Sequence, residues 1–106
     1  MTMRANGRLT RCMAQRLLML ESVARHRGVS AAAAELDLTP REISRSLRQL
    51  EAKMATRVFT RDCDGVGLTQ AGEILHLAVS AGLASIREAA DRPEFETAAL
   101  PFTATV

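Results

Sequence analysis

The segment from Thr39 to Met54 constrains this chain more than any other. Thr39 offers a side-chain oxygen to cap a helix, Pro40 takes the first helical position, and Glu42 stands three residues after the cap. That order is a capping box, with proline where its fixed φ and missing N–H do no harm. Ile43, Leu47, Leu50 and Met54 follow at i, i+4, i+7 and i+11. At about 100° per residue they fall within about 40° of Ile43, while Arg41, Arg45 and Arg48 fall about 140–200° away. The pattern predicts a helix that buries one face and presents arginines on the other.

The flanking sequence predicts what this helix packs against. Upstream, Gly28 breaks a helical pattern, and Ser30 is a suitable N-cap for a short helix over Ala31–Asp37. The alanines of that helix allow a neighbour to approach closely, with Leu36 and Leu38 as larger anchors. A first helix reads over Ala14–His26, where Leu17, Leu20 and Ala24 share a face and Leu18, Met19 and Val23 widen it. Residues 1–13 are polar and read as a flexible segment. Downstream, Arg57-Val58-Phe59 reads as a short strand with Val58 or Phe59 inward, Asp62–Gly65 as a tight turn, and Val66-Gly67-Leu68 as a returning strand. Two strands about a turn, directly after a helix-turn-helix, form a wing.

Thr69 caps a long last helix, Gln70–Asp91, of about 33 Å at 1.5 Å per residue. Leu75, Val79, Gly82 and Ile86 cluster on one face with Ala78 beside them; Ile74, Leu77 and Ala81 form a neighbouring strip. One face can pack on the domain while the other meets a partner helix. Leu75, Ala78, Val79, Gly82 and Ile86 are the candidate dimerisation residues, because this helix and the first offer more apolar surface than a small domain needs. Pro93 stops the helix. The tail, 93–106, holds Glu94, Glu96 and scattered apolar residues, and either docks on a surface or stays loose. The expected fold is mainly α: a winged helix-turn-helix over 14–68, then a linker or dimerisation helix over 69–92.

Charge divides along the same line. Residues 1–61 carry twelve basic and five acidic side chains, whereas residues 62–106 carry two and seven. The first half suits a polyanion and the second does not. No apolar run reaches the roughly 18 residues of a membrane span, and no secretory signal opens the chain. Cys12 and Cys63 are too few and too distant for a metal site or disulfide framework, so a reduced cytoplasmic setting is expected. His26 falls at a helix end, where it offsets the dipole and caps a carbonyl; His76 falls on the exposed side of the long helix. No metal, nucleophile or phosphate-cradling motif appears, so neither a cofactor nor enzymatic activity is expected. The strongest functional signal is the arginine face. Arg41 and Arg45, in the N-terminal half of their helix, are placed to reach base edges, and Arg48, Arg57 and Arg61 to clamp phosphates.

The segments VSAAAAELDLTPREISRSLRQLEAKMATRVFTR and GVGLTQAGE resemble the N-terminal winged helix-turn-helix of the LysR-type transcriptional regulators. The resemblance runs from Leu17 to Ile86. Ser44, Arg45, Leu47, Leu50 and Glu51 match the family's Ser-Arg-x-Ile-x-x-Leu-Glu body. Phe59 and Arg61 match its Phe-x-Arg, and Leu68, Thr69, Ala71 and Gly72 match the start of its linker helix. The resemblance implies a dimer through that helix, binding two DNA half-sites with Arg41, Ser44, Arg45, Arg48, Arg57 and Arg61 as the DNA-facing set. There are departures. The usual Gln-Pro is Pro40-Arg41, with proline one position early; the Gly before the wing is Ala55; and the wing's usual basic positions fall at Asp64 and Gly67. The family's effector-binding domain has no counterpart in these residues.

Two functions follow from this pattern. The first is a DNA-binding transcriptional regulator acting as a homodimer on double-stranded DNA without its own ligand sensor. The second is an antiactivator-type interaction protein that keeps the fold but binds another transcription regulator and blocks its dimerisation or DNA contact. The acidic wing, with Asp62 and Asp64, and the apolar long helix motivate the second.

Overall fold

The computed structural model describes residues 9–62 and 65–99. Its elements run in order α1 (Arg11–His26), α2 (Val29–Leu36), α3 (Pro40–Met54), β1 (Phe59–Asp62), β2 (Gly65–Leu68), α4 (Gln70–Ala90) and α5 (Pro93–Ala98). No helix among the described residues is long and apolar enough to cross a membrane. The wing is a two-stranded antiparallel ladder in which Phe59 pairs with Leu68 and Arg61 with Val66.

The core lies where α1, α2 and α3 meet. Leu20 and Val23 from α1, Ala32 from α2, Ile43 and Leu50 from α3, and Val58 before the wing are fully enclosed. Leu36, Leu38 and Met54 pack around them, together with Leu75 from α4. Burial of Ile43, Leu47 and Leu50 follows the apolar stripe of α3. The capping box is formed in both directions. The Thr39 hydroxyl accepts from the Glu42 N–H at 3.0 Å, and the Glu42 carboxylate accepts from the Thr39 N–H at 2.8 Å. The Thr39 N–H first, and then the Thr39 hydroxyl, which also donates to the carboxylate at 3.1 Å, hold the Glu42 carboxyl below its ordinary pKa.

Several boundaries differ from the sequence expectation, each for a local reason. α1 begins at Arg11 rather than Ala14, because the Thr10 hydroxyl accepts from the Met13 N–H at 3.2 Å and Met13 is itself buried. The segment 1–13 therefore ends in helix; residues 1–8 lie outside the described residues. α2 begins at Val29, with extended Gly28 as its cap and no side-chain capping bond, so Ser30 lies inside the helix. The strand expected at Arg57–Phe59 starts only at Phe59. Val58 and Arg57 are already engaged: the Val58 carbonyl accepts from the Thr69 N–H at 3.0 Å and the Arg57 carbonyl from the Thr69 hydroxyl at 2.7 Å. The turn expected at Asp62–Gly65 includes residues 63 and 64, outside the described residues; Gly65 after them has φ of 115°. Pro93, read as a stop, also opens α5 at its first position. The tail beyond Ala99 lies outside the described residues. His76 is half-buried rather than exposed, and His26 meets Glu35 at 3.1 Å instead of capping a carbonyl.

The α1–α2 corner is tied by charge. Arg25 forks onto Glu21 and Glu35, and the buried Ser22 hydroxyl donates to Glu35. These bonds, Ser22 first and then Arg25, hold the Glu35 carboxyl down at about 2. They raise the Arg25 guanidinium further above its already high value, with Glu21 as the main cause.

Candidate nucleic-acid interface

α3 is held by its stripe and its cap, so what it presents is fixed. Arg41, Arg45 and Arg48 are exposed on it, and Ser44 is half-buried. None of the three arginines makes an ion pair among the described residues. Three cations on one face, of which Arg45 feels the Glu42 carboxylate without pairing with it, give that face a positive potential.

The outer face of α3 has two flanks. One flank faces the wing across a groove of about 670 Å³, whose floor includes Val23, Leu47 and Val66 and whose rim includes Arg48, Arg57 and Arg61. A shallower continuation brings Arg41, Ser44, Arg48 and Arg61 together with Pro40 and the start of α2. The structure thus gathers Arg41, Ser44, Arg48, Arg57 and Arg61 about one depression. Arg45 is exposed but lines neither part of it, because it stands on the other flank. There Gln49, one turn further along, accepts a hydrogen bond from the Arg16 guanidinium of α1 at 2.9 Å.

Glu51 orders the wing side. Its carboxylate accepts from the Val58 N–H at 2.8 Å and the Phe59 N–H at 3.2 Å, and lies 3.7 Å from Arg57. By sequence Glu51 only matches the family body, with no role attached. Its place at the end of a capped helix, just before a wing, is the signal that could have found one. Arg57 is 81% exposed despite this contact and keeps most of its guanidinium open to solvent. The acid side chains expected to weaken the wing, Asp62 and Asp64, lie outside what is described of the side chains. Gly67, at one of the usual basic positions, faces Thr60 so closely that a Cβ there would sit 2.9 Å from its hydroxyl.

On α4, Leu75 packs against the domain's own core and Val79 is half-buried, whereas Ala78, Gly82 and Ile86 are exposed. The neighbouring strip is the more open one, with Ile74 64% and Leu77 69% exposed. Among the described residues, no three His, Cys, Asp or Glu side chains gather to hold a metal.

Comparison with known proteins agrees with this geometry. Two relatives are each 39% identical over 75 residues: the uncharacterized HTH-type transcriptional regulator YbeF of Escherichia coli K12 and the RuBisCO operon transcriptional regulator of Allochromatium vinosum. The alignments cover 71% and 70% of this chain but only 24% of either relative, so the chain spans about a quarter of their length. The CbnR_DBD–DNA complex superposes with a TM-score of 0.57 at 26% identity, covering 74% of this chain and 97% of that one. Residues 14–73 match the sequence model of the bacterial regulatory helix-turn-helix proteins of the lysR family, more than half of the chain, and the chain belongs to that family.

Proposed function

We propose that this protein is a DNA-binding transcriptional regulator whose α3 enters the major groove of double-stranded DNA. The observation that carries the reading is the exposed arginine face of α3, whose arginines make no ion pair among the described residues, opposite the buried Ile43, Leu47 and Leu50. Arg41 and Arg45, in its N-terminal half, read base edges. Ser44 adds a hydroxyl beside them. Arg48, Arg57 and Arg61, around the groove between helix and wing, bind phosphates. The complex of a similar domain with DNA supports the assignment.

The reading includes a homodimer through α4. Its strip of Ile74, Leu77, Ala78, Ala81 and Gly82 is exposed and apolar, and its small residues let a second helix approach closely. Two copies would present two α3 helices to two half-sites.

A mobility-shift titration on the DNA upstream of the protein's own gene tests the reading, run at about 50 mM and about 150 mM salt. Binding at the lower salt, weakening at the higher, is expected; no binding at either overturns it. Arg45→Ala should lose about 1–3 kcal/mol of discrimination between the preferred and a scrambled site. Arg57→Ala should weaken binding to both alike.

A further inference from the structure

The wing accounts for only one flank of α3. On the other, Arg16 projects from α1 and donates to the Gln49 side-chain oxygen at 2.9 Å, across 33 residues of sequence. Gln49 stands four residues after Arg45, one helical turn along the same strip. The Arg16 guanidinium is therefore oriented beside the arginine face, although it comes from a helix far from it in sequence.

The chemistry of its partner matters. Arg25 is neutralised by Glu21 and Glu35, and Arg57 leans on Glu51. Arg16 is held by a neutral amide and makes no ion pair among the described residues. An amide oxygen orients a guanidinium while leaving its full charge and its other N–H donors available. A guanidinium positioned in this way beside a groove-binding helix matches a phosphate group, whose oxygens it can engage through its remaining N–H donors.

We propose that Arg16, positioned by Gln49, is a DNA-backbone contact on the flank of α3 opposite the wing. The footprint then straddles the recognition helix, with Arg57 and Arg61 on one side and Arg16 on the other. Arg16 adds affinity without reading sequence. This rests on the DNA-binding reading of α3.

The test compares the full chain with Arg16→Gln, Arg16→Lys, Gln49→Ala and the Arg16→Gln/Gln49→Ala pair, on the upstream fragment and on a scrambled duplex, over a series of salt concentrations. Arg16→Gln should reduce the steepness of log K against log salt by about 0.9, the value of one phosphate contact. At about 0.15 M salt that corresponds to about fivefold weaker binding, equal on both duplexes. Arg16→Lys should keep most of the slope. Gln49→Ala should cost less than Arg16→Gln, and nothing further when added to it. Thermal melting should be unchanged, since the guanidinium is at the surface. If the wild-type chain binds but Arg16→Gln leaves affinity and slope unchanged, or Arg16→Lys loses as much as Arg16→Gln, the Arg16 contact is wrong and the α3 reading stands. If the wild-type chain binds neither duplex, both fall.

Discussion

A methyl group added at Gly72 should have the opposite sign from the same methyl ten residues later. In an open helix interior, Gly→Ala is worth about 0.5–1 kcal/mol of stabilisation, because alanine loses less backbone freedom on folding. At Gly72 the new Cβ would stand 2.1 Å from the Val58 carbonyl oxygen, with the Val58 carbonyl carbon and Leu68 Cδ2 both at 3.1 Å. Reaching ordinary contact requires α4 to retreat by about 1.4 Å, since atoms of this kind pack at about 3.5 Å. That retreat strains the Thr69 N–H bond to Val58 at 3.0 Å and the Thr69 hydroxyl bond to Arg57 at 2.7 Å. Two hydrogen bonds at about 0.5–1.5 kcal/mol each, with about 1–3 kcal/mol for overpacking, outweigh the propensity gain. The net is a loss of about 3 kcal/mol, or roughly 10–20 °C in Tm for a domain of this size. Gly82 is the control, because a Cβ there meets nothing within 4 Å. Gly82→Ala should raise Tm by a few degrees, measured by circular dichroism at a dilution where the chain is monomeric. If Gly72→Ala also raises Tm, the close approach of α4 to Val58 is not a real constraint.

Three further outcomes are expected. Ala55 ends α3 with φ of 52°, a conformation that costs a side-chain-bearing residue about 1 kcal/mol; Ala55→Gly should therefore move the urea midpoint upward or leave it level, and a downward shift would contradict the strain. The Glu35 carboxyl is held at about 2 in the folded chain, against an ordinary value of 4.5. The unfolded chain therefore takes up this proton first on acidification. The contribution of Glu35 is complete above that ordinary value and is lost as pH falls from there towards about 2, so Glu35→Gln should flatten the fall in stability over that window in acid titrations followed by fluorescence of an extrinsic dye. If the chain forms the proposed dimer, Leu77→Glu, at a site 69% exposed, should leave a folded monomer in sedimentation velocity; a wild-type chain sedimenting as monomer at micromolar concentration would refute the dimer.

What was legible in the sequence was what is decided within a few residues. The Thr39–Glu42 capping box closes over three residues, and the Ile43, Leu47 and Leu50 stripe repeats each turn. Both could be read from spacing alone, and with them the helix that presents the arginines. Thr10 is also a local cap, but the polar sequence before Met13 gave no periodicity to mark what it capped. The contacts that shape the candidate interface are of another kind. Glu51 reaches seven and eight residues ahead to backbone N–H groups, and Arg16 reaches Gln49 across the fold. Spacing says nothing about such partners until the helices are packed. Likewise the periodicity of α4 marks two apolar strips, and only the packing shows that Leu75, near its start, meets the core while Gly82 and Ile86 on the same strip stay exposed.

The same long-range bonds settle how α3, the wing and α4 move relative to one another. Glu51 at the end of α3 holds the N–H groups of Val58 and Phe59. The carbonyl of Val58 then holds the Thr69 N–H, and the Thr69 hydroxyl bonds the Arg57 carbonyl while accepting from the Gly72 N–H at 3.0 Å. Helix, wing and linker helix are thus joined at one knot, with both wing strands leaving it side by side. A carboxylate accepting two backbone N–H groups is a strong tie, since charge-assisted bonds are roughly twice as strong as neutral ones. Each bond of the knot has a main-chain group on at least one side, so it ties the backbones of helix, wing and linker helix directly. Arg41 and Arg48 of α3 therefore face the same depression as Arg57 and Arg61, with Arg45 on the other flank of the helix. If two copies meet along α4, the angle between α3 and α4 within each copy is set here, at Glu51 and Thr69, and the crossing of the two α4 helices adds to it. Gly72 matters for the same reason. It is the residue whose lack of a side chain lets α4 start close enough to Val58 for the knot to close.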